Sequence, residues 1–128
     1  MIPDWEPGTV AILATAGPHA IPVSTALRTG PQTVLLALGA SRGSLARLRE
    51  DPRCALLLIA AGVAVTLRGR ATETGEAAGT VAIRLDVEYV DDHAQPTFAI
   101  EAGVQWRWTD PDAERRDAEV RAALAQLA

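Results

Sequence analysis

The sequence predicts a mainly β domain of the α+β class: an antiparallel barrel of about seven strands, with a helix after the third strand and another at the C-terminus. Three observations lead there. Apolar runs of strand length recur along the chain, separated by Gly-Pro and polar turn signals. One of them, residues 81–89, alternates strictly between apolar and polar, the signature of a strand with one wet face. The strands also follow one another with a single helix inserted, a pattern that does not make a doubly wound parallel sheet. At 128 residues the chain has the length of one domain, read here as 1–128, and can bury a core without staples.

The elements follow in order. Residues 9–16 are apolar and β-compatible, and end at Gly17-Pro18. Residues 19–27 resume as a second strand, with Ile21, Val23 and Thr25 on one face and Pro22, Ser24 and Ala26 on the other. Pro22 has no N–H for a ladder, so this strand is expected to meet an edge or a bulge there. Gly30-Pro31 marks the next turn, and 32–38 is the third strand. A helix is predicted over 42–50, with Leu45 and Leu48 as its apolar stripe, stopped by Asp51-Pro52. The eight apolar residues 54–61 read as a strand buried on both faces. In 63–72 apolar positions alternate, and Gly69 inside the pattern predicts a bulge or a close backbone approach. Residues 73–79 read as a loop or short helix.

In 81–89, Val81, Ile83, Leu85, Val87 and Tyr89 are expected to point one way, with Arg84, Asp86 and Glu88 opposite. A polar loop, 91–97, leads through 98–100 to a last strand at 104–108. Asp110-Pro111 then starts the terminal helix, a capping residue followed by proline at the first helical position. Its apolar side is Ala113, Val120, Leu124 and Leu127.

Composition narrows the function. Hydrophobic residues make up 48% of the chain but aromatics only 4%, so Val, Leu, Ile and Ala must build the core. The net charge of −4 argues against a nucleic-acid partner. The charge is uneven: residues 1–72 carry seven arginines against four acids, and 73–101 one against seven. The first part is therefore the one suited to an anionic ligand. The single cysteine, Cys54, precludes an intrachain disulfide and reads as a core residue. Neither a signal peptide nor a bilayer-length apolar segment is visible, so no membrane association and a cytoplasmic location are expected. No metal-ligand spacing, GxSxG or P-loop is present. His19 and His93 lie far apart in sequence.

The segment 41–52, SRGSLARLREDP, is the most suggestive. It sets small hydroxyl residues and an arginine at the entrance of a helix, directly after a strand. Helix N-termini leave backbone N–H groups unpartnered and carry partial positive charge. Ser41, Arg42 and Ser44 there make a phosphate seat. The alternative is that Ser41 is an N-cap and the arginines form a solvated face.

The order of elements from 12 to 60 carries a resemblance. ILATAGPHAIPVSTALRTGPQTVLLALGASRGSLARLREDPRCALLLIA reads as strand, Gly-Pro turn, His-x-x-Pro-Val strand, third strand, Ser/Arg turn, arginine-rich helix ending Asp-Pro-Arg, then an apolar strand. This resembles the pyridoxamine 5′-phosphate oxidase-like family of flavin-binding split β-barrels, and TLRGRATET resembles the strand that follows in that family.

The resemblance implies a homodimer with flavin mononucleotide (FMN) at its interface, acting as an oxidoreductase on a small-molecule substrate. It would lay Pro22, Val23, Ser24 and Thr25 along the flavin ring and end a strand at Leu38 and Gly39 beside the ribityl chain. Ser41, Arg42 and Ser44 would meet the phosphate, with Leu45 packed nearby. Trp106 would line the partner's cofactor site or cover the barrel mouth with Trp108.

Two departures stand out. Many family members carry a lysine or arginine where Ser44 falls, and the pyridoxal-specific C-terminal arginine and histidine pattern is not recognisable, so pyridoxamine phosphate oxidase activity itself is not expected. No residue stands out as a catalytic acid or base. Alternatives on the same fold are binding of the deazaflavin F420, a non-catalytic ligand-binding or sensor barrel, and a haem-binding barrel.

Overall fold

A sheet of seven strands, antiparallel throughout, carries the structure, a computed structural model that describes residues 2–128. The elements are β1 (Ala11–Thr15), β2 (His19–Val23), β3 (Leu27–Gly30), β4 (Thr33–Leu38), α1 (Gly43–Glu50), β5 (Arg53–Ala60), β6 (Val63–Ala77), β7 (Thr80–Asp92) and α2 (Pro111–Leu127). Their spatial order is β2-β1-β5-β6-β7-β4-β3. β2 and β3 are thus consecutive in the chain but sit at opposite edges of the sheet.

Only Ser24, Thr25 and Ala26 join those two edges. Three linking residues span at most roughly 14 Å between the strand ends. A flat sheet would hold the two edges roughly 29 Å apart, six steps of about 4.8 Å. The sheet must therefore curl until its edges approach, and the result is a split barrel. The inward side chains fill it: Leu13 of β1, Leu36 and Leu38 of β4, Leu56 and Leu58 of β5, Leu67 of β6, and Ile83 and Leu85 of β7 are all buried. Leu45 and Leu48 of α1 join the same core, as do Ile2 and Trp5 from the N-terminal segment.

A second, smaller core lies outside the barrel. Leu35 of β4, Ala77 of β6 and Ala82 of β7 pack against Val120 and Leu124 of α2. β4 is therefore buried on both faces, which explains its unbroken apolar run. The Asp110 carboxylate caps α2 by accepting from the Asp112 N–H at 2.9 Å, with proline in the first turn, as the sequence predicts.

Several expectations are corrected. The strand predicted over 19–27 is two strands, broken at Ser24–Ala26 where the chain crosses between sheet edges. Local alternation does not register such a crossing. Pro22 does lie on an edge strand, where its missing N–H costs no ladder bond. Residues 54–61 are covered on the inner side only: Ile59 is 44% exposed. Residues 73–79 are no loop, because β6 continues to Ala77 and turns at Ala78 and Gly79, both with positive φ (47° and 84°). That is the signature of the tight turns that match strand twist. Asn or Asp before glycine would have announced it; alanine does not.

Tyr89 points outward instead of inward. Arg68 pairs with Tyr89 and Gly69 with Val87, so Glu88 is an extra residue that reverses the alternation. Tyr89 then lies on the outer face with the Arg68 guanidinium 4.9 Å above its ring. The last predicted strand, 104–108, forms no ladder. The chain before it has no regular structure and is tied by the Gly62 N–H to the Ile100 carbonyl at 2.9 Å. On α2, Leu127 is 43% exposed rather than part of the apolar side.

The bulge expected at Gly69 is present, and it explains the glycine. A Cβ there would collide with the backbone carbonyl of Asp86 on β7. Gly69→Ala is expected to destabilise the fold by about 2 kcal/mol or more. Gly30→Ala, whose added Cβ meets only the Thr33 side chain at an ordinary 3.6 Å, should stay within roughly 0.5 kcal/mol. Urea unfolding of both variants checks the pair.

Candidate functional site

A cleft of about 530 Å³ opens beside the crossover between the two sheet edges. One wall is the end of β2 and the crossover itself: Ile21, Pro22, Val23, Ser24 and Thr25. The end of β4, Ala37 to Gly39, forms the floor, and Arg42 closes one end at the entry to α1. Ala78 and Thr80 from the β6–β7 turn, Trp108, and one face of α2 complete it. Seven of the residues singled out from sequence thus come together: Pro22, Val23, Ser24, Thr25, Leu38, Gly39 and Arg42.

Four others lie elsewhere. Ser41 is exposed in the turn before α1 and is not part of the cleft lining. Ser44 is buried, and its Oγ hydrogen bonds to His19 Nε2 at 3.1 Å, tying α1 to β2. Leu45 is fully buried in the barrel core. Trp106 is 42% exposed in a neighbouring hollow and meets Trp108 edge to face, ring centroids 5.0 Å apart.

The helix entrance is open. Arg42, not Ser41, occupies the N-cap position, with extended backbone and no side-chain cap. No acid lies in the first turn of α1. The positive end of this helix is therefore neither capped nor neutralised by its own residues.

The crossover that walls the cleft is held rigidly. The Ser24 hydroxyl donates to Asp117 Oδ1 at 3.1 Å, and Arg121 Nε donates to Asp117 Oδ2 at 2.8 Å. Thr25 Oγ1 accepts from the Ala37 N–H at 3.0 Å, and the Ala26 carbonyl accepts from the Trp5 indole at 2.9 Å. Both hydroxyls of the crossover are thus committed to the scaffold.

Sequence reasoning missed the contribution of α2. Ala113, Arg116, Asp117 and Val120 lie at helical spacing and face the cleft together with Glu119. From sequence only the apolar side of α2 is read, and only the packing of the helix beside the crossover gives Arg116 a meaning.

A second hollow, about 400 Å³, is lined by Thr15, Asp51, Arg53, Cys54, Arg68 and Tyr89 among others. Its charged groups pair with one another or with neighbours, while the buried Thr15 hydroxyl has no hydrogen-bond partner among the described residues. Bonds from the Arg53 side chain, then from its backbone N–H, hold the Asp51 carboxyl down at about 2. Burial pushes the Cys54 thiol up from 9.0 to about 11, so it is a poor nucleophile near neutrality. Among the described residues no group of His, Cys, Asp and Glu is placed to hold a metal ion. No helix is long and apolar enough to cross a membrane.

No family model matches the sequence, and no curated protein does. The structure does resemble solved ones. A protein from Listeria innocua named "Putative Pyridoxamine 5'-phosphate oxidase" superposes with a TM-score of 0.57 at 16% identity, over 66% of this chain and 88% of its own. A protein of that same name from Lactobacillus delbrueckii gives 0.57 at 13%, over 65% and 84%. HupZ from Group A Streptococcus, in a tagged form, gives 0.58 at 10%, over 76% and 90%. At these identities the likeness establishes a shared fold: the split barrel of pyridoxamine 5′-phosphate oxidase-like proteins.

The buried thiol gives a pH-dependent prediction. Between about 9 and about 11 the unfolded chain ionises Cys54 and the folded chain does not, so this group's contribution to stability is lost as pH rises through that window. Native protein should resist a thiol-specific disulfide reagent at pH 8 and react fully in denaturant. Cys54→Ala should flatten the fall of the urea midpoint across that window.

Proposed function

We propose that the chain binds FMN in the cleft beside the crossover and works as a homodimeric flavin-dependent oxidoreductase on a small substrate. The observation that carries this reading is the uncapped entrance of α1, where Arg42 opens onto a cleft walled by the edge-strand segment 22–25. Arg42 makes no ion pair with any described residue. A guanidinium and free helix N–H groups are the donors a phosphate monoester needs.

The rest of the cleft fits the group. Its volume falls in the roughly 300–1,000 Å³ range of small-molecule sites. Ile21, Pro22, Val23 and Leu38 offer the apolar surface that a flat heteroaromatic ring requires. When bound, FMN supplies the hydride- or electron-transfer chemistry, and the protein positions and tunes it. Here Pro22–Thr25 orient the ring, Arg42 and the start of α1 hold the phosphate, and Trp108 with α2 limits water access. Ser24 and Thr25 are bonded to the scaffold, so their role is to fix the wall rather than to move protons.

The homodimer is supported by the uncovered side of the barrel. Ile12 on β1 pairs across the ladders with Pro22 on one side and Leu57 on the other, and Ile59 pairs with Ala64. These outward residues, with Ala14 and Ala55, make an uncharged face that no helix of the chain covers, and exposed Val104 borders it. Pro22 belongs both to this face and to the cleft, so a partner seated there would border the cofactor.

Flavin binding is checked by mass spectrometry of copurifying small molecules and by FMN fluorescence titration, with F420 titrated in parallel. Arg42→Ala is expected to weaken FMN by roughly ten- to a hundredfold, the value of hydrogen bonds to a charged group, and to leave riboflavin nearly unaffected. A colourless protein that leaves FMN fluorescence unchanged sinks the reading.

A further inference from the structure

The charges lining the cleft sum to zero but do not pair with one another. Four charged side chains belong to it: Arg42 at the entry to α1, and Arg116, Asp117 and Glu119 on α2. Both carboxylates are already engaged by arginines that lie outside the lining. Asp117 is bonded to Arg121 at 2.8 Å, and Glu119 Oε1 faces, at 3.9 Å, the Nε of Arg115, an arginine it shares with Asp112 at 3.1 Å. Arg42 and Arg116 have no carboxylate within ion-pair distance among the described residues. Two unneutralised guanidiniums, one from each helix, therefore open on a single cleft.

The helix face that carries Arg116 is set by its neighbours. Ala113 and Val120, one turn to either side, line the same cleft, so Arg116 lies on the helix face toward the barrel. Asp117 holds that face in place by accepting from Ser24 on the crossover. Ser44 cannot supply a second polar contact to an anion at α1, because its hydroxyl is buried against His19.

We infer that α2 is a wall of the ligand site and that Arg116 is a second anion-binding residue, acting with Arg42 on the phosphate of the bound ligand. The cleft then selects a phosphate monoester over its neutral alcohol, because a dianion neutralises both cations and accepts from both forks. This rests on the FMN reading for the identity of the ligand, but not for the class of charge it must carry.

The test compares wild type, Arg42→Gln and Arg116→Gln by calorimetric titration with FMN and with riboflavin. Arg116→Gln should weaken FMN roughly tenfold or more, as expected for loss of a charge-assisted hydrogen bond, and change riboflavin affinity less than twofold. Unchanged FMN affinity, or equal weakening of both ligands, overturns the inference. If wild type binds no FMN, the flavin reading fails by itself. Inorganic phosphate followed at the arginine Nε–H signals then decides the present point. Shifts at both Arg42 and Arg116, the former reduced in Arg116→Gln, support the two-cation site; no shift at Arg116 overturns it.

Discussion

The structure depends on the length of one connection. Three residues, Ser24 to Ala26, must reach from one edge of a seven-stranded sheet to the other, and that requirement bends the sheet into a barrel. Each of the three is also bonded to a different part of the molecule. Ser24 donates to α2, Thr25 accepts from the backbone of β4, and the carbonyl of Ala26 accepts from Trp5 of the N-terminal segment. Buried polar groups must find partners, and here the partners fix three separate pieces of chain to one short bridge. The cleft is a consequence, because the split between the edges is where the curled sheet leaves space.

The barrel is covered unevenly. α2 packs over β4 and the tip of the β6–β7 hairpin, filling that side with Leu35, Ala77, Ala82, Val120 and Leu124. The opposite side, around β1 and β5, keeps Ile12, Leu57 and Ile59 without a covering element. The one side explains why β4 is apolar from Val34 to Leu38. The other has the apolar content of a doubly covered strand with only one cover in the chain. Both features bear on the cleft, which lies between α2 and the uncovered face and shares Pro22 with the latter.

Much of this was legible from residue patterns. The mainly β class, the two helices, the Asp110-Pro111 start of α2, the edge position of Pro22 and the bulge at Gly69 each follow from local chemistry. So does the grouping of Pro22–Thr25 with Leu38, Gly39 and Arg42, through a resemblance whose shared fold the solved structures bear out. Tyr89 is turned outward by a register shift, Ala78-Gly79 makes a turn without the usual residues, and 19–27 divides because of a long-range crossing. In the first and third cases the deciding partner is distant in sequence; in the second the turn is local but lacks the residues that announce it.

The sequence by itself determined the mainly β class, the two helices and where glycine, proline and capping residues must stand, since those follow from backbone sterics and nearest-neighbour hydrogen bonds. Only the tertiary structure decided which surfaces meet. It turned Ser44 inward to His19, left Trp106 outside the cleft, and brought Arg116 of the last helix beside the same opening as Arg42. Periodicity assigns a side chain to a face of its own element. What that face meets is set by the closure of the sheet, and the closure is imposed by a bridge of three residues.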